Sequence, residues 1–487
     1  MRPVAPARPR SRPALRRNAR VTRAWRYRLA PPTARKRRRR GLPTIWLRVR
    51  RLLWSWWVWA ALGVWQGALG RWGWAAGCAA GAVLVHLAAP RERAPVYGLD
   101  HDMAVDDPAF LDSLVGLTGT PFLPGNRVTV YNNGDEFYPA MLDAIRGATD
   151  SITIEAYIYW HGSIGLEFAE ALAERARAGV AVKILLDAIG SSTIGTRILE
   201  TLESGKCQLA WFNPLRWYSL GSINHRTHRK TLLIDGRISF TGGAGIADHW
   251  LGCAQDADHW RDIQVCVEGP AAMPLQTGFA QNWLETTGEL ITGPQFFPEM
   301  SDSGTVPVQT ILSSPSTGAS AARTLYYLSI VCARKSIQIT NPYFVPDQAA
   351  IDILIDAMKR GVAVTVLVTG IHNDNWLARH NSTRLYGPLL EGGVRLYEYN
   401  RTMLHQKTMV IDGRWATIGT TNFDNRSFAL NEESNASFDD AGLVAQLQRT
   451  FEEDVARAEP VTLEKWRRRG TMARAQELMA SLFVEQT

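Results

Sequence analysis

The chain has 487 residues, 46% of them hydrophobic, which is ample for packed cores and too long for one ordinary core, so two or three domains are expected. Its formal net charge of +8 is unevenly placed: residues 1–51 hold 19 Lys and Arg and no acidic residue, whereas 52–487 hold 35 Lys and Arg against 46 Asp and Glu. An acidic body speaks against a nucleic-acid groove, whose affinity rests on neutralised phosphates, and five scattered cysteines without a Cys-x-x-Cys pair speak against a disulfide framework.

From the N-terminus, residues 1–51 form a basic, Pro- and Arg-rich tail read as disordered. Its run Arg35-Lys36-Arg37-Arg38-Arg39-Arg40 could hold anionic headgroups, or serve topology alone. Residues 52–70 and 72–90 are apolar, each 19 long, and only Arg71 carries a fixed charge between Arg51 and Arg91. Each is near the lower limit for a helix crossing hydrocarbon, and eight tryptophans between Trp46 and Trp74 suit a headgroup-level belt. The 52–90 segment is therefore expected as a transmembrane hairpin or a single span. Arg91 and Arg93 favour the hairpin, which puts the body with the tail on the cytoplasmic side of the membrane. Residues 91–124 read as a linker.

The body then repeats itself. Ser151-Ile152-Thr153-Ile154, followed by Tyr157, matches Ser336-Ile337-Gln338-Ile339, followed by Tyr343. Gly179-Val180-Ala181-Val182 matches Gly361-Val362-Ala363-Val364. Each copy predicts a strand (152–158, 337–341), an amphipathic helix (164–178, 348–360) and a buried strand (180–187, 362–369). This is an α/β pattern: two similar lobes of mixed sheet covered by helices, 125–298 and 299–487, with 298–308 as the connection between them. The site is expected between the lobes.

Each copy ends in the same short pattern, His228-x-Lys230-x4-Asp235 and His405-x-Lys407-x4-Asp412, 177 positions apart. On a strand, His and Lys two apart share a face and can project into one cleft. One imidazole can attack phosphorus while the other protonates a leaving alcohol. These six residues are the catalytic candidates. Within them, Asp235 and Asp412 are expected to bond the motif's own backbone or a neighbouring segment. No further His, Asp or Glu cluster has ligand spacing, so no metal and no cofactor are expected. The stretch Trp211-Phe212-Asn213-Pro214-Leu215-Arg216-Trp217-Tyr218 leads into the first motif and could dip into lipid headgroups or close the lobe as a packed loop.

The constellation resembles the phospholipase D superfamily and, within it, the bacterial cardiolipin synthases, over nearly all of 125–455. The resemblance is strongest at His405-Gln406-Lys407-Thr408-Met409-Val410-Ile411-Asp412-Gly413, at Gly419-Thr420-Thr421-Asn422-Phe423-Asp424-Asn425-Arg426-Ser427-Phe428, at Asn431-Glu432-Glu433 and at Asn341-Pro342-Tyr343-Phe344. In the first half it rests on Asn224-His225-Arg226-Thr227-His228-Arg229-Lys230 and Thr241-Gly242-Gly243-Ala244-Gly245.

It implies a membrane-bound phosphatidyl transferase that condenses two phosphatidylglycerol molecules to cardiolipin and glycerol through a phosphohistidine. By that analogy His228 is the nucleophile and His405 the proton carrier. Lys230, Lys407 and Asn422 bind the phosphate, and Asp262 and Glu433, counted 34 and 28 residues after the histidine of their own half, orient the imidazoles. Phospholipid substrates and a membrane are the implied partners. A phospholipase D-type hydrolase, a phosphodiesterase or nuclease, and an inactive membrane scaffold are the rival readings. Two positions depart from the family pattern: Gly245 stands where Asn is usual, and Thr420 where Ser is usual.

Overall fold

The computed structural model describes residues 56–88, 98–99, 101–214, 225–315 and 321–482. The basic tail 1–51 with its run 35–40, the residues Arg91 and Arg93, and positions 215–218 of the aromatic stretch lie outside these. The chain divides into two units, Met1–Arg93 and Ala94–Thr487.

In the first unit two apolar helices, α1 (Trp56–Ala68) and α2 (Trp72–Ala88), are joined by a turn at Gly70, whose φ of 70° suits glycine. Small residues let the helices approach: a Cβ on Gly81 would stand 3.1 Å from the Trp59 ring. The 13 residues of α1 and 17 of α2 rise about 20 and 26 Å, short of a hydrocarbon core of about 30 Å. Among the described residues no helix is long and apolar enough to cross a membrane.

The second unit opens with α3 (Pro108–Thr118), capped by the Asp107 carboxylate on Ala109 N and closed by Gly119 at φ 70°. Phe110 and Leu114 are fully buried, and Phe110 meets Trp415 edge-on at 5.8 Å. The 91–124 segment therefore contains a helix that belongs to the core and is more than a linker.

The first repeat follows as β1 (Leu123–Asn132), α4 (Asn133–Gly147), β2 (Ser151–Ala156), α5 (Ser163–Arg177), β3 (Ala181–Asp187), α6 (Thr196–Ser204), β4 (Gln208–Phe212), β5 (Arg226–Thr227), β6 (Lys230–Ile234), β7 (Ile238–Gly242), β8 (Ile263–Glu268) and α7 (Ala272–Thr287). The second is β9 (Val306–Ser313), α8 (Ala321–Cys332), β10 (Ser336–Thr340), α9 (Gln348–Lys359), β11 (Ala363–Thr369), α10 (Trp376–Glu391), β12 (Arg395–Tyr399), β13 (Thr408–Ile411), β14 (Trp415–Gly419), α11 (Asn425–Ala429), β15 (Asn431–Phe438) and α12 (Ala441–Ala456). A C-terminal β16 (Glu459–Val461), α13 (Leu463–Arg467) and α14 (Thr471–Ser481) complete it. Val306, Pro307 and Val308, read from sequence as the end of the connection, open β9 instead.

The strands form a single mixed sheet in the order β16-β12-β11-β10-β13-β14-β15-β9-β1-β8-β7-β6-β2-β3-β4. Leaving β16 aside, the order reads alike from both ends, with the antiparallel pair β1 and β9 at the centre. The strands β2-β3-β4 and β10-β11-β12 are parallel, and the β6 and β13 hairpins run antiparallel beside them. Ile184, Leu186, Val364 and Val366 are buried in two equivalent apolar layers, as apolar runs covered on both faces require.

The two motif aspartates set the register of these hairpins. Asp235 follows β6 at φ 51°, and its carboxylate accepts from the backbone N of Thr149, Asp150 and Ser151 at 2.8–3.2 Å. Asp412 follows β13 at φ 57° and accepts from Arg334, Lys335 and Ser336 N at 2.7–2.8 Å. Each ties its hairpin to the start of the neighbouring strand, β2 or β10, at the end of β6 or β13 away from the histidine. Both carboxylates are thereby engaged with backbone, which suits a structural role. Asp412→Ala removes the carboxylate that accepts three backbone hydrogen bonds and leaves an alanine at positive φ, an expected cost of about 2–4 kcal/mol. Thermal denaturation should show a midpoint about 4–8 °C lower, with turnover of the folded fraction retained. An unchanged midpoint with lost turnover would return Asp412 to the chemistry.

Candidate active site

The two histidines meet at the centre of the sheet through an exchange between the halves. β5 pairs in parallel with Asn431–Glu432 of β15, and His228 N donates to Glu432 O at 2.9 Å. In the other half His405 N donates to Arg261 O at 2.8 Å, and Arg261 N to Met403 O at 2.8 Å. Each histidine is thus hydrogen-bonded to the residue that precedes the other half's carboxylate. The side chains follow. His228 Nδ1 lies 3.0 Å from Glu433, and His405 Nδ1 lies 3.0 Å from Asp262 Oδ2. Asp262 and Glu433 are therefore at the imidazoles, but crossed: each orients the histidine of the half to which it does not belong. With Nδ1–H given to a carboxylate, Nε2 of each ring is left for chemistry.

The lysines sit alike. Lys230 Nζ donates to His228 O at 3.0 Å, and Lys407 Nζ donates to His405 O while standing 3.1 Å from His405 Nε2. All six groups are buried. Burial and the paired lysines hold His228 well below the usual imidazole range and His405 at about 4, so both rings are neutral at pH 7. Burial likewise lowers Lys230, aided by Lys407, and brings Lys407 down to about 8. Burial pushes Glu433 up. It acts in the same direction on Asp262, but the hydrogen bond and charge of His405 and the nearby Lys407 outweigh it and keep that carboxyl low.

The halves differ in what surrounds this core. Thr420 Oγ1 donates to Glu433 Oε2, so the threonine found in place of serine keeps the hydroxyl's contact. The matching position is Gly243, where a Cβ would stand 2.2 Å from Asp262 Oδ1; Trp250 Nε1 donates to Asp262 Oδ2 at 2.8 Å instead. His405 is walled by Trp250, Trp260 and Tyr343 at 5.5–6.1 Å, whereas His228 faces Tyr157 at 5.4 Å. Gly245 has a steric reason: a Cβ there would lie 2.8 Å from Ile158 Cβ, so the asparagine seen at Asn422 in the other half does not fit.

A cavity of about 480 Å³ opens onto both histidines. Lys230, Asn422, Arg226 and Arg426 give it a donor-rich wall, and Asn422 Oδ1 has no hydrogen-bond partner among the described residues. Tyr157, Tyr343, Arg226, Arg426, Trp250 and Asp374 are site residues that sequence reasoning did not assign. The matched tyrosines of the repeat were the available signal for two of them; Trp250 and Asp374 carried none. Of the aromatic stretch, Trp211 and Phe212 lie on β4, where Phe212 is buried.

Two outcomes follow from this geometry. A bound anion raises the proton affinity of every group around it, and the buried lysines are partly neutral near pH 8. Titration with sulfate, monitored calorimetrically in buffers of different ionisation enthalpy, should show net proton uptake that is larger at pH 8 than at pH 6. Proton release would contradict the assigned directions. Gly245→Asn should slow turnover and destabilise by about 1–3 kcal/mol through overpacking, and adding Ile158→Ala should recover part of the stability. A faster Gly245→Asn enzyme would show that the steric account is wrong.

A family model described as cardiolipin synthase, PLD-like domain matches residues 141–283 and 329–455. The cardiolipin synthase of Geobacillus kaustophilus (strain HTA426) is 34% identical over 365 residues, covering 74% of this chain and 72% of that protein. Cardiolipin synthase 1 of Bacillus anthracis is 33% identical over 370 residues, 74% of this chain and 72% of that protein. The fold is similar to the crystal structure of phosphatidylserine synthase from Haemophilus influenzae Rd KW20, with a TM-score of 0.56 at 15% identity, covering 77% of this chain and 96% of that one. With both copies of the motif inside the matched residues and these relatives aligned along most of its length, the chain belongs to the cardiolipin synthase family of phospholipase D-like proteins.

Proposed function

We propose that this protein is a phosphatidyl transferase that joins two phosphatidylglycerol molecules into cardiolipin and releases glycerol. The observation that carries the reading is the crossed pair of carboxylate-oriented histidines facing one cavity. His228 Nε2 attacks the phosphorus; the bond to the departing glycerol oxygen breaks, and His405, which takes up a proton at Nε2 when the anionic phosphate binds beside it, gives that proton to the oxygen. The glycerol hydroxyl of a second phosphatidylglycerol then attacks, the N–P bond breaks, and the proton returns to His405. Lys230, Lys407 and Asn422 hold the non-bridging oxygens, where desolvation makes each charge count for more than in water. The more open setting of His228 supports its role as nucleophile, and the aromatic walls of His405 suit a ring that must shed its proton readily.

The two lobes are read as 125–298 and 299–487. The apolar 52–90 segment is read as the membrane anchor of a bacterial inner-membrane protein, with the basic tail and the catalytic body on the cytoplasmic side. Its apolar composition, its tryptophans and the arginines that flank it support this reading.

Phosphatidylglycerol carrying ³²P should yield labelled cardiolipin with the wild type. His228→Ala should lose at least about 10³-fold in turnover and take up no label. His405→Ala should lose a similar factor and trap acid-labile label on His228. Label on His405 would reverse the assignment. Phosphatidic acid as the sole lipid product would make the protein a hydrolase, and cleavage of single-stranded DNA without lipid turnover would sink the lipid reading.

A further inference from the structure

The cavity holds a carboxylate for which phosphate binding has no use. Asp424, which also lines it, is engaged as the cap of α11, accepting from Ser427 N at 2.7 Å. Asp374 caps nothing: Asn375 takes that place on α10, accepting from Ala378 N at 3.1 Å. Asp374 sits instead on the short connection from β11 to α10, and its Oδ1 accepts the Tyr343 hydroxyl. No hydrogen bond from the described residues reaches its Oδ2, and the side chain is exposed where it lines the cavity. The connection is held in place: Ile371 N donates to Asn400 Oδ1 at 3.0 Å, Asn373 Nδ2 to Pro342 O at 3.3 Å, and Asn375 N to Asn373 Oδ1 at 2.9 Å. The carboxylate is therefore presented in a fixed position. The Tyr343 ring that steadies it packs edge-on to His405, with centroids 6.1 Å apart.

A negative group beside a phosphodiester repels it, so Asp374 has to face another part of the substrate. The part next to His405 is the alcohol, because His405 passes protons to and from the alcohol oxygen. A glycerol headgroup carries hydroxyls beyond the reacting one, each a donor, and a carboxylate is the strongest acceptor a side chain can offer them. Water and simple alcohols bring no such second donor to the same place.

We propose that Asp374, oriented by Tyr343, is the specificity-determining residue for the alcohol: it accepts hydrogen bonds from the spare hydroxyls of the departing glycerol and then from those of the acceptor phosphatidylglycerol. The proposal rests on the transferase reading and on the placing of His405 at the alcohol side. It accounts for preference among acceptors competing for one intermediate, a property separate from the rate at which that intermediate forms.

The test uses the full-length protein with phosphatidyl-p-nitrophenol as donor, so that the leaving group has no polyol, and with glycerol, 1-propanol and ethanolamine competing as acceptors. Asp374→Asn should lower the ratio of phosphatidylglycerol to phosphatidylpropanol by about 10- to 100-fold, the loss expected when a built hydrogen-bond site is disabled. Tyr343→Phe, which frees the carboxylate without removing it, should lower the ratio by a smaller factor. A rate loss with the ratio unchanged would reduce Asp374 to a structural support and overturn the proposal. Selective loss of ethanolamine transfer, with glycerol spared, would overturn it as well, by assigning the carboxylate to an ammonium. A wild type that transfers to acceptors while the Asp374→Asn ratio stays unchanged defeats this proposal alone; a wild type that forms only phosphatidic acid defeats the transferase reading and this proposal together.

Discussion

The site depends on one exchange between the two repeats: each histidine is bonded, through its amide and through Nδ1, to the carboxylate-bearing segment of the other repeat. Neither repeat can orient its own imidazole. The antiparallel pairing of β1 with β9 closes the sheet at its centre and brings β15 to β5 and Arg261 to Leu404. Local folding of one copy therefore produces a lysine and a histidine on a strand end, and only assembly of both produces a poised ring.

Duplication supplies symmetry, and a few substitutions around the centre remove it. Gly243 and Gly245 lack the side chains that Thr420 and Asn422 provide, because Asp262 and Ile158 already occupy the space. The carboxylate opposite His405 is steadied by an indole, and the one opposite His228 by a hydroxyl. The proposed division into a nucleophile and a proton carrier calls for different surroundings, and these unequal partners would supply them without altering the paired histidines and lysines.

Burying two lysines, two histidines and two carboxylates together is costly unless the charges compensate. The shifted proton affinities express that balance: the rings stay neutral, the lysines give up protons more readily than in water, and Glu433 holds its proton more firmly. In the proposed reaction an anionic phosphate would complete the set, which would make binding and proton uptake two aspects of one event. The same economy fits Asp374 standing apart on the connection before α10, where the proposed role sets its charge against hydroxyls instead of phosphate.

Much of this was legible in the residues. Apolar runs bounded by glycine marked β3 and β11, and the repeated patterns marked their order, because alternation and strand length are local properties. The His-x-Lys spacing put both groups on one strand face by pleat geometry alone. The paired motif aspartates were legible as backbone-binding, although their place at the start of β2 and β10 was not. Composition marked 91–124 and 298–308 as connections, but burial of Phe110 and Leu114 and the pairing of β9 drew parts of both into the body, since a chain's own polarity does not report what it packs against. The amino-acid sequence by itself determined that the His-x-Lys pairs come in two copies and that each pair shares a strand face. Only the tertiary structure decided that the carboxylates cross between copies and that Asp374 reaches the cavity, because contacts between residues up to 205 positions apart leave no local periodicity to read.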